Sequence, residues 1–440
     1  NSHRYRNEIS TFYDALDTAS FSAYKRILQQ VDFEHVLKVF PIWLANLSDL
    51  NAVLPLKKDC FDLVIIDEAT QCDIASALPA LYRAKRVVIA GDPNQLRHYS
   101  FVAKAQQFNL QEKYNLPKDK IFDYRNRSIL DVFISKAKQQ QQISFLREHF
   151  RSTPSLIEFS NQKFYDNQLQ ILKSTPTHTE EKQLELIKVS GKRDKKGINE
   201  VEVEKVLQQL DKIINDYKDE KIKPSIGIIS PFNSQVTYLN KLLWERYELF
   251  VLKQFNILCG TPYNFQGSER EIILMSFGVC PDTHHSAYIH LNKPEVLNVA
   301  ITRAKSLQIV ITSVEKDELK KDSLFYEYLA FIEDFTHFNA EENTIDQFQN
   351  EVVKALKKQG LKEIKCGYPV AGSLLDILVT HRGKNYFIDL IGYPGVYREA
   401  FSLERYKTLA RTGIRTLPLH YSFWKKNKTK AVKELIKFIY

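Results

Sequence analysis

FDLVIIDEATQ, residues Phe61–Gln71, decides how the rest of the chain is read. Leu63, Val64, Ile65 and Ile66 follow Phe61 in an almost unbroken apolar run. Such a run predicts a strand buried on both faces, as in a parallel α/β sheet. Asp67 and Glu68 come next, at the carboxyl end of that strand, where open α/β sheets place their ligands. Two adjacent acids there need a reason, because unpaired buried charge is costly. A hydrated Mg2+ carried by a nucleotide supplies one: one carboxylate holds the metal and the other polarises an attacking water. An acid pair that caps the next helix is the plain alternative.

Working outward, VVIAGDPNQL (Val87–Leu96) is a second apolar run, ending in a Gly-Asp-Pro turn with an amide side chain, Gln95. EHFRS (148–152), ISPFNSQ (229–235), GTPYNFQGSERE (260–271) and LNVAITRAK (297–305) follow in that order. Together with DEATQ and GDPNQL they resemble motifs II to VI of the superfamily 1 helicases. The set is most similar to the branch that includes the RNA helicase of nonsense-mediated decay and its bacterial relatives. The resemblance covers roughly residues 40–315.

The resemblance implies an α/β fold of RecA-like parallel-sheet lobes, the first of them incomplete, with ATP and Mg2+ as cofactors. It implies that Asp67 holds the metal, that Glu68 and Gln95 act on the attacking water and the phosphates, and that Arg151 meets the γ-phosphate across a cleft. A guanidinium suits that task, being always charged, planar and able to bind phosphate in two places. A surface ion pair is the ordinary fate of such an arginine. Arg303 becomes a second arginine finger, flanked by Thr302 and Lys305. Gln266, Gly267 and Glu269 are implied at the nucleotide, and Thr261 and Thr302 at nucleic acid. The partner implied is single-stranded DNA or RNA, without a choice between them, and the suggested polarity is 5′ to 3′.

The bulk numbers agree with a large cytosolic enzyme. A chain of 440 residues has room for two or three domains, and 44% hydrophobic with 26% charged residues allows ordinary cores. A net charge of +9 favours a polyanionic partner. The five cysteines, Cys60, Cys72, Cys259, Cys280 and Cys366, show neither metal spacing nor a disulfide framework, which fits a reducing cytosol. No apolar run approaches membrane-spanning length, and no signal peptide opens the chain. The sequence starts at Asn1 and its one methionine is Met275, so it reads as a piece of a longer protein.

Three domains are expected. Residues 1–140 form the carboxy-terminal part of a first lobe, with 1–35 compatible with the end of an insertion; 141–338 form a second lobe; 339–440 form an appended domain. Phe40–Leu56 is either a buried strand and turn or part of the nucleic-acid-facing side. Lys104–Lys120 reads as a surface excursion and Ile129–Ala137 as a helix. Pro154 starts a helix, since proline suits the first turn. GKRDKKG (191–197) lacks the glycine and Ser/Thr of a phosphate loop and reads as a solvated basic turn. The stripe Val203, Val206, Leu210, Ile213 predicts a helix over 199–217, and Ser225–Ser230 a buried strand.

Beyond a linker at 339–343, a helix from Ile345 to Gln359, strands at Leu374–Thr380 and Tyr386–Ile391, a helix near 399–411, a strand at Ile414–Leu419 and a Lys-rich terminal helix are expected. This order resembles the small restriction-endonuclease-like domains of the PD-(D/E)xK type, especially those related to very-short-patch repair. The resemblance places Glu351, Asp376 and Asp389 around Mg2+. Ile391 stands where an active site of that type carries lysine or another polar group. Arg398, Arg405 and Lys407 are the candidates to replace it, and a non-cutting domain kept for nucleic-acid binding is the other reading.

GxxxxGK[ST] occurs nowhere in these residues. Motifs II to VI without that loop imply an upstream segment that carries it, another chain that does, or its loss. The expectation is therefore the C-terminal part of an ATP-driven helicase or translocase, with this chain by itself lacking ATPase activity. A binding module with a dead motor and a Mg2+-dependent nuclease are the alternatives.

Overall fold

The computed structural model describes the chain apart from residues 1, 19, 29, 118–122, 174–182, 336–345, 371–372, 394–402 and 412–413. It divides into two compact units, residues 1–144 and 145–440. The expected linker at 339–343, Ile345 and Arg398 lie outside the described residues. Among the described residues no helix is long and apolar enough to cross a membrane.

In the first unit, helices Ser2–Leu16, Phe21–Leu28 and Phe33–Val39 precede the sheet. Strand β1 (Val64–Ile66) runs parallel to β2 (Val87–Ile89), with Ile65 opposite Val88. Helix Ile74–Tyr82 joins them; the Asp73 carboxylate starts it by accepting from the Ser76 N–H. The expectation of a strand buried on both faces is corrected here: Ile66 is 4% exposed and Ile65 63%. The core, built from Phe12, Phe33, Val36, Ala77, Ala80, Ile129 and Leu130, covers the face of Val64 and Ile66. Among the described residues this sheet has two strands, and Leu63, Ile65 and Val88 stay open on its other face. Lys104–Lys113, read as a surface excursion, is a helix with no buried residue.

The second unit contains a five-stranded parallel sheet in the order β5–β9–β8–β6–β7. A short ribbon of β3 (Glu148–His149) and β4 (Gln170–Ile171) precedes it. The sheet strands are β5 (Leu184–Lys188), β6 (Ile226–Ile229), β7 (Leu258–Gly260), β8 (Arg270–Ser276) and β9 (Ala304–Thr312). Strand alternation splits the interior into two cores. Ile273 and Met275 of β8 pack with Leu156, Leu297, Phe325 and Leu329, from helices Pro154–Phe164, Pro294–Ile301 and Leu324–Phe335. Ile272 and Leu274 pack on the other side with Val203, Val206, Leu210 and Leu239, from helices Glu200–Asp216 and Asn233–Arg246.

The carboxy-terminal part opens with helix Gln347–Lys358, capped by the Asp346 carboxylate. Strands β10 (Glu363–Val370), β11 (Ser373–His381) and β12 (Lys384–Ile391) form an antiparallel meander. Helix Leu403–Arg411 leads to β13 (Arg415–His420), parallel to β12. Helices Tyr421–Lys426 and Lys428–Ile439 close the chain. Phe348, Val352 and Leu356 meet Leu435 and Ile439 in its core, as their helical spacing requires.

Candidate functional site

In the first unit the two acids stand where β1 ends. Asp67 is exposed and its Oδ1 accepts from the Glu68 N–H at 2.8 Å. Glu68 sits at φ 50°, a left-handed conformation that costs a side-chain-bearing residue energy and collects at functional turns. The loop that follows is laced to the GDPNQL loop: Ala69 N–H donates to Ala90 O at 2.9 Å and His98 N–H to Thr70 O at 3.0 Å. Gly91 permits that approach, since a Cβ there would stand 3.1 Å from the Ala69 nitrogen and 3.3 Å from that of Thr70. Gln95 Nε2 donates to Asp92 Oδ2 at 2.9 Å, which fixes the amide beside the turn. Thr70 Oγ1 is buried with no hydrogen-bond partner among the described residues. Two oxygen donors at a strand end and an unmet hydroxyl beside them fit a hard cation with its water shell.

In the second unit Arg151, Glu269 and Lys305 come together at the amino end of the sheet. Arg151 Nε donates to Glu269 Oε2, and Lys305 Nζ lies 2.6 Å from Glu269 Oε1. Burial works to raise the Glu269 pKa, but Lys305 and Arg151 outweigh it and hold the carboxyl below its ordinary range. His149 is pushed down to about 4 by burial, then by Arg151, with Lys173 and Arg303 adding to it. It is therefore neutral at physiological pH, and its Nε2 accepts the Ser152 N–H at 3.0 Å. Lys173 Nζ donates to Lys305 O at 2.8 Å, completing a patch rich in positive charge.

The other expected residues are placed differently. Arg303 is 1% exposed; its Nε donates to Val299 O at 2.9 Å and its Nη2 to Thr302 Oγ1 at 3.0 Å. Thr302 in turn donates to Asn298 O at 2.8 Å. Thr261 is 6% exposed at the end of β7, where its hydroxyl and N–H both meet Asn264 Oδ1 at 2.9 Å. Gln266 is half-buried, and Gly267 is exposed at φ 72°.

The carboxyl end of the same sheet holds a group that the motif reading passed over. Glu202 is 0% exposed and accepts from Ser276 Oγ at 2.7 Å, Gly278 N–H at 2.7 Å, Ser313 N–H at 3.0 Å and Asn199 Nδ2 at 3.3 Å. Burial pushes its pKa up to about 7 in spite of these donors. The signal was present: Glu202 lies four residues before Val206, on the inward stripe of its helix. Arg193, in the turn read as solvated, is half-buried. It donates to Gly278 O and stacks 4.0 Å over the Phe232 ring.

In the carboxy-terminal part, Asp376 and Asp389 are each 1% exposed on neighbouring strands, and the pairing of Ile377 with Ile388 sets them opposite one another. Leu390 N–H donates to Asp376 Oδ2 at 2.5 Å, and Asp376 Oδ1 is buried with no hydrogen-bond partner among the described residues. Burial raises the Asp376 pKa far above the carboxylate range, and the Asp389 and Asp346 carboxylates raise it further. Glu351, the third acid expected there, is engaged by other partners. Its carboxylate accepts from Trp424 Nε1 at 3.1 Å and pairs with Lys428 at 2.8 Å, because it lies on the flank of a helix whose inward stripe is Phe348, Val352 and Leu356. Ile391 is 9% exposed in the apolar interior.

A family model described as an AAA domain matches residues 125–315, and another of the same description matches residues 5–99. An ATP-dependent helicase of Mycoplasma genitalium is 29% identical over 346 residues, 73% of this chain and 30% of that protein. The helicase sen1 of Schizosaccharomyces pombe is 28% identical over 334 residues, 71% of this chain and 18% of its own length. The helicase SEN1 of Saccharomyces cerevisiae is 30% identical over 318 residues, 66% of this chain and 13% of its own length. The chain thus spans less than a third of each of these relatives. A solved helicase of PRRSV is 10% identical, covering 85% of this chain and 50% of that one, at a TM-score of 0.28, a likeness too loose to argue from.

Proposed function

We propose that the chain belongs with the superfamily 1 helicases and is part of an ATP-driven helicase or translocase acting on single-stranded nucleic acid. The observation that carries the reading is the acid pair at the end of β1, with Glu68 held in a left-handed turn against the Gln95 loop. Bound Mg2+ and ATP would supply the phosphoryl group and the charge that polarises it. Asp67 offers an exposed carboxylate to the metal. Glu68 takes the proton of the attacking water, and Gln95 orients that water. Arg151 meets the phosphates after leaving Glu269, an exchange that a more highly charged anion favours. Arg303 does so only by giving up the Val299 carbonyl and the Thr302 hydroxyl. Gln266, Gly267 and Glu269 line the nucleotide in this reading, and Thr261 and Thr302 back the nucleic-acid side. In this reading an upstream segment or another chain supplies the phosphate-gripping loop, loss of the loop being the dead-motor alternative, and the open apolar face of Leu63, Ile65 and Val88 supports a further element packing there.

Residues 345–440 hold eighteen Lys and Arg against eight Asp and Glu, more than the whole chain's net charge of +9. That supports nucleic-acid contact by the appended domain, whether or not it cuts. A Mg2+-dependent nuclease is kept as a second reading because Asp376, whose Oδ1 is unmet among the described residues, stands opposite Asp389 in the strand register.

Glu68→Gln in the full-length protein tests the main proposal. Nucleotide binding persists, while strand-stimulated ATP turnover falls by about a hundredfold or more, as loss of a general base requires. Turnover that survives the change removes Glu68 from the chemistry.

A further inference from the structure

We propose that the carboxy-terminal domain positions Arg151, with Arg411 acting through Glu148 as the positioning residue. The proposal rests on the reading of Arg151 as a phosphate-binding arginine. Arg151 follows β3 by two residues, and β3 is too short to hold itself: it is a two-residue strand paired with another two-residue strand. Its own bonds are few, Gln170 N–H to Arg147 O at 2.7 Å and Leu172 N–H to His149 O at 2.8 Å. Something else must fix the ribbon.

The appended domain does so at two points. Leu172, at the end of β4, is 3% exposed, and its apolar neighbours are Leu375, Leu378, Phe387, Leu409 and Ile414, all from beyond the lobe's own sheet. Arg411, the last residue of helix Leu403–Arg411, places Nη1 2.8 Å from Glu148 Oε1 and 2.5 Å from Oε2. The neighbouring residues of the same ribbon turn to the nucleotide-facing cluster. His149 accepts from Ser152 N–H, Ser152 Oγ donates to Ala304 O at 2.7 Å, and Lys173 donates to Lys305 O. One ribbon is thus gripped on one side by the appended domain and on the other by the residues around Arg151 and Glu269.

The Arg411–Glu148 pair is half exposed, with side chains 48% and 31% accessible, so its Coulomb energy adds little to stability. Its effect is on register. Leu172 anchors the ribbon and the ion pair sets where along the domain surface β3 lies. A shift of about 1 Å at a group that must meet a phosphate is enough to slow chemistry by one to two orders of magnitude.

The test uses Arg411→Glu, Glu148→Arg and the charge-swapped double variant of the full-length protein. Each single variant lowers kcat for strand-stimulated ATP turnover about tenfold while KM for ATP and Tm stay near wild type, and the double variant recovers most of the loss. A merely structural contact would lower Tm without a kcat-specific loss and without rescue. Hydrogen exchange in peptides spanning 148–152 and 168–173 reads the same contact without ATP: it speeds up in each single variant and recovers in the swap. Unchanged exchange overturns the proposal whether or not the protein hydrolyses ATP, as does wild-type kcat in Arg411→Glu. The expected exchange pattern in a protein that binds but never turns over ATP would instead uphold the positioning contact and refute the nucleotide reading of Arg151.

Discussion

Glu202→Gln should alter how the stability of the second unit's sheet depends on pH. The wild-type carboxyl is 0% exposed, and burial moves its pKa from 4.5 to about 7. In the unfolded chain it loses its proton near 4.5; in the folded chain it keeps it to about 7. Between those values the unfolded state binds fewer protons, so the free energy of opening falls as pH rises. The stability linked to this group is whole below 4.5 and is lost through about 7, an interval worth about 3 to 4 kcal/mol at 1.4 kcal/mol per pH unit. Glutamine does not titrate, so the variant lacks this slope. It also brings one oxygen to a place where four donors converge, and whichever way the amide turns, its NH2 faces a backbone N–H, of Gly278 or of Ser313. An unmet buried donor costs about 1–3 kcal/mol, so the variant starts less stable at low pH and the gap narrows as pH rises. Hydrogen exchange of the β8 and β9 peptides from about pH 5 to about pH 8 reads both effects locally, independent of how the other unit unfolds. The same pH slope in wild type and variant would falsify the reasoning: the four donors would then outweigh burial and keep the carboxylate charged throughout.

Asp376→Asn should leave the carboxy-terminal domain folded, since an amide of the same shape can still accept the Leu390 N–H through its oxygen. Mn2+ or Mg2+ should raise the Tm of the wild type and not of this variant; an equal rise in both dismisses a cation at Asp376 and Asp389. Lys433→Glu with Lys437→Glu changes two exposed lysines of the terminal helix. If both touch phosphates, the slope of log affinity against log salt for a single strand shrinks by about 1.4, and an unchanged slope takes this helix out of the binding surface.

Local chemistry was legible in the sequence where it is written in spacing. The helices opened by Pro154 and Asn199, and the inward stripe of Phe348, Val352 and Leu356, follow from residue type and period. An apolar run does not report how many neighbours its strand has, so Ile65 looked as interior as Ile66 and is 63% exposed. Pairings across long separations were not legible either. Arg151 meets Glu269 across 118 residues and Arg411 meets Glu148 across 263, and nothing in the local pattern of either arginine names its partner. Glu351 shows the same gap: nothing in the local pattern of its helix names Trp424 and Lys428, 73 and 77 residues away, as the partners of its carboxylate.

The two ends of the second unit's sheet are joined by strands that leave little room for local movement. β8 begins beside Glu269 and ends at Ser276, which donates to Glu202; β9 begins beside Arg303 and is followed by Ser313, whose N–H also donates to Glu202. Ile273, Leu274, Met275, Val310 and Ile311 between them are 0% exposed. Seven residues of strand span roughly 20 Å, so the charged cluster at one end and the buried carboxylate at the other are separated by a closely packed slab. Such a slab moves as a body before it deforms. The ribbon of β3 and β4 stands outside that slab, held by a few contacts on each side, and this is why the appended domain, and not the sheet, is placed to set the position of Arg151.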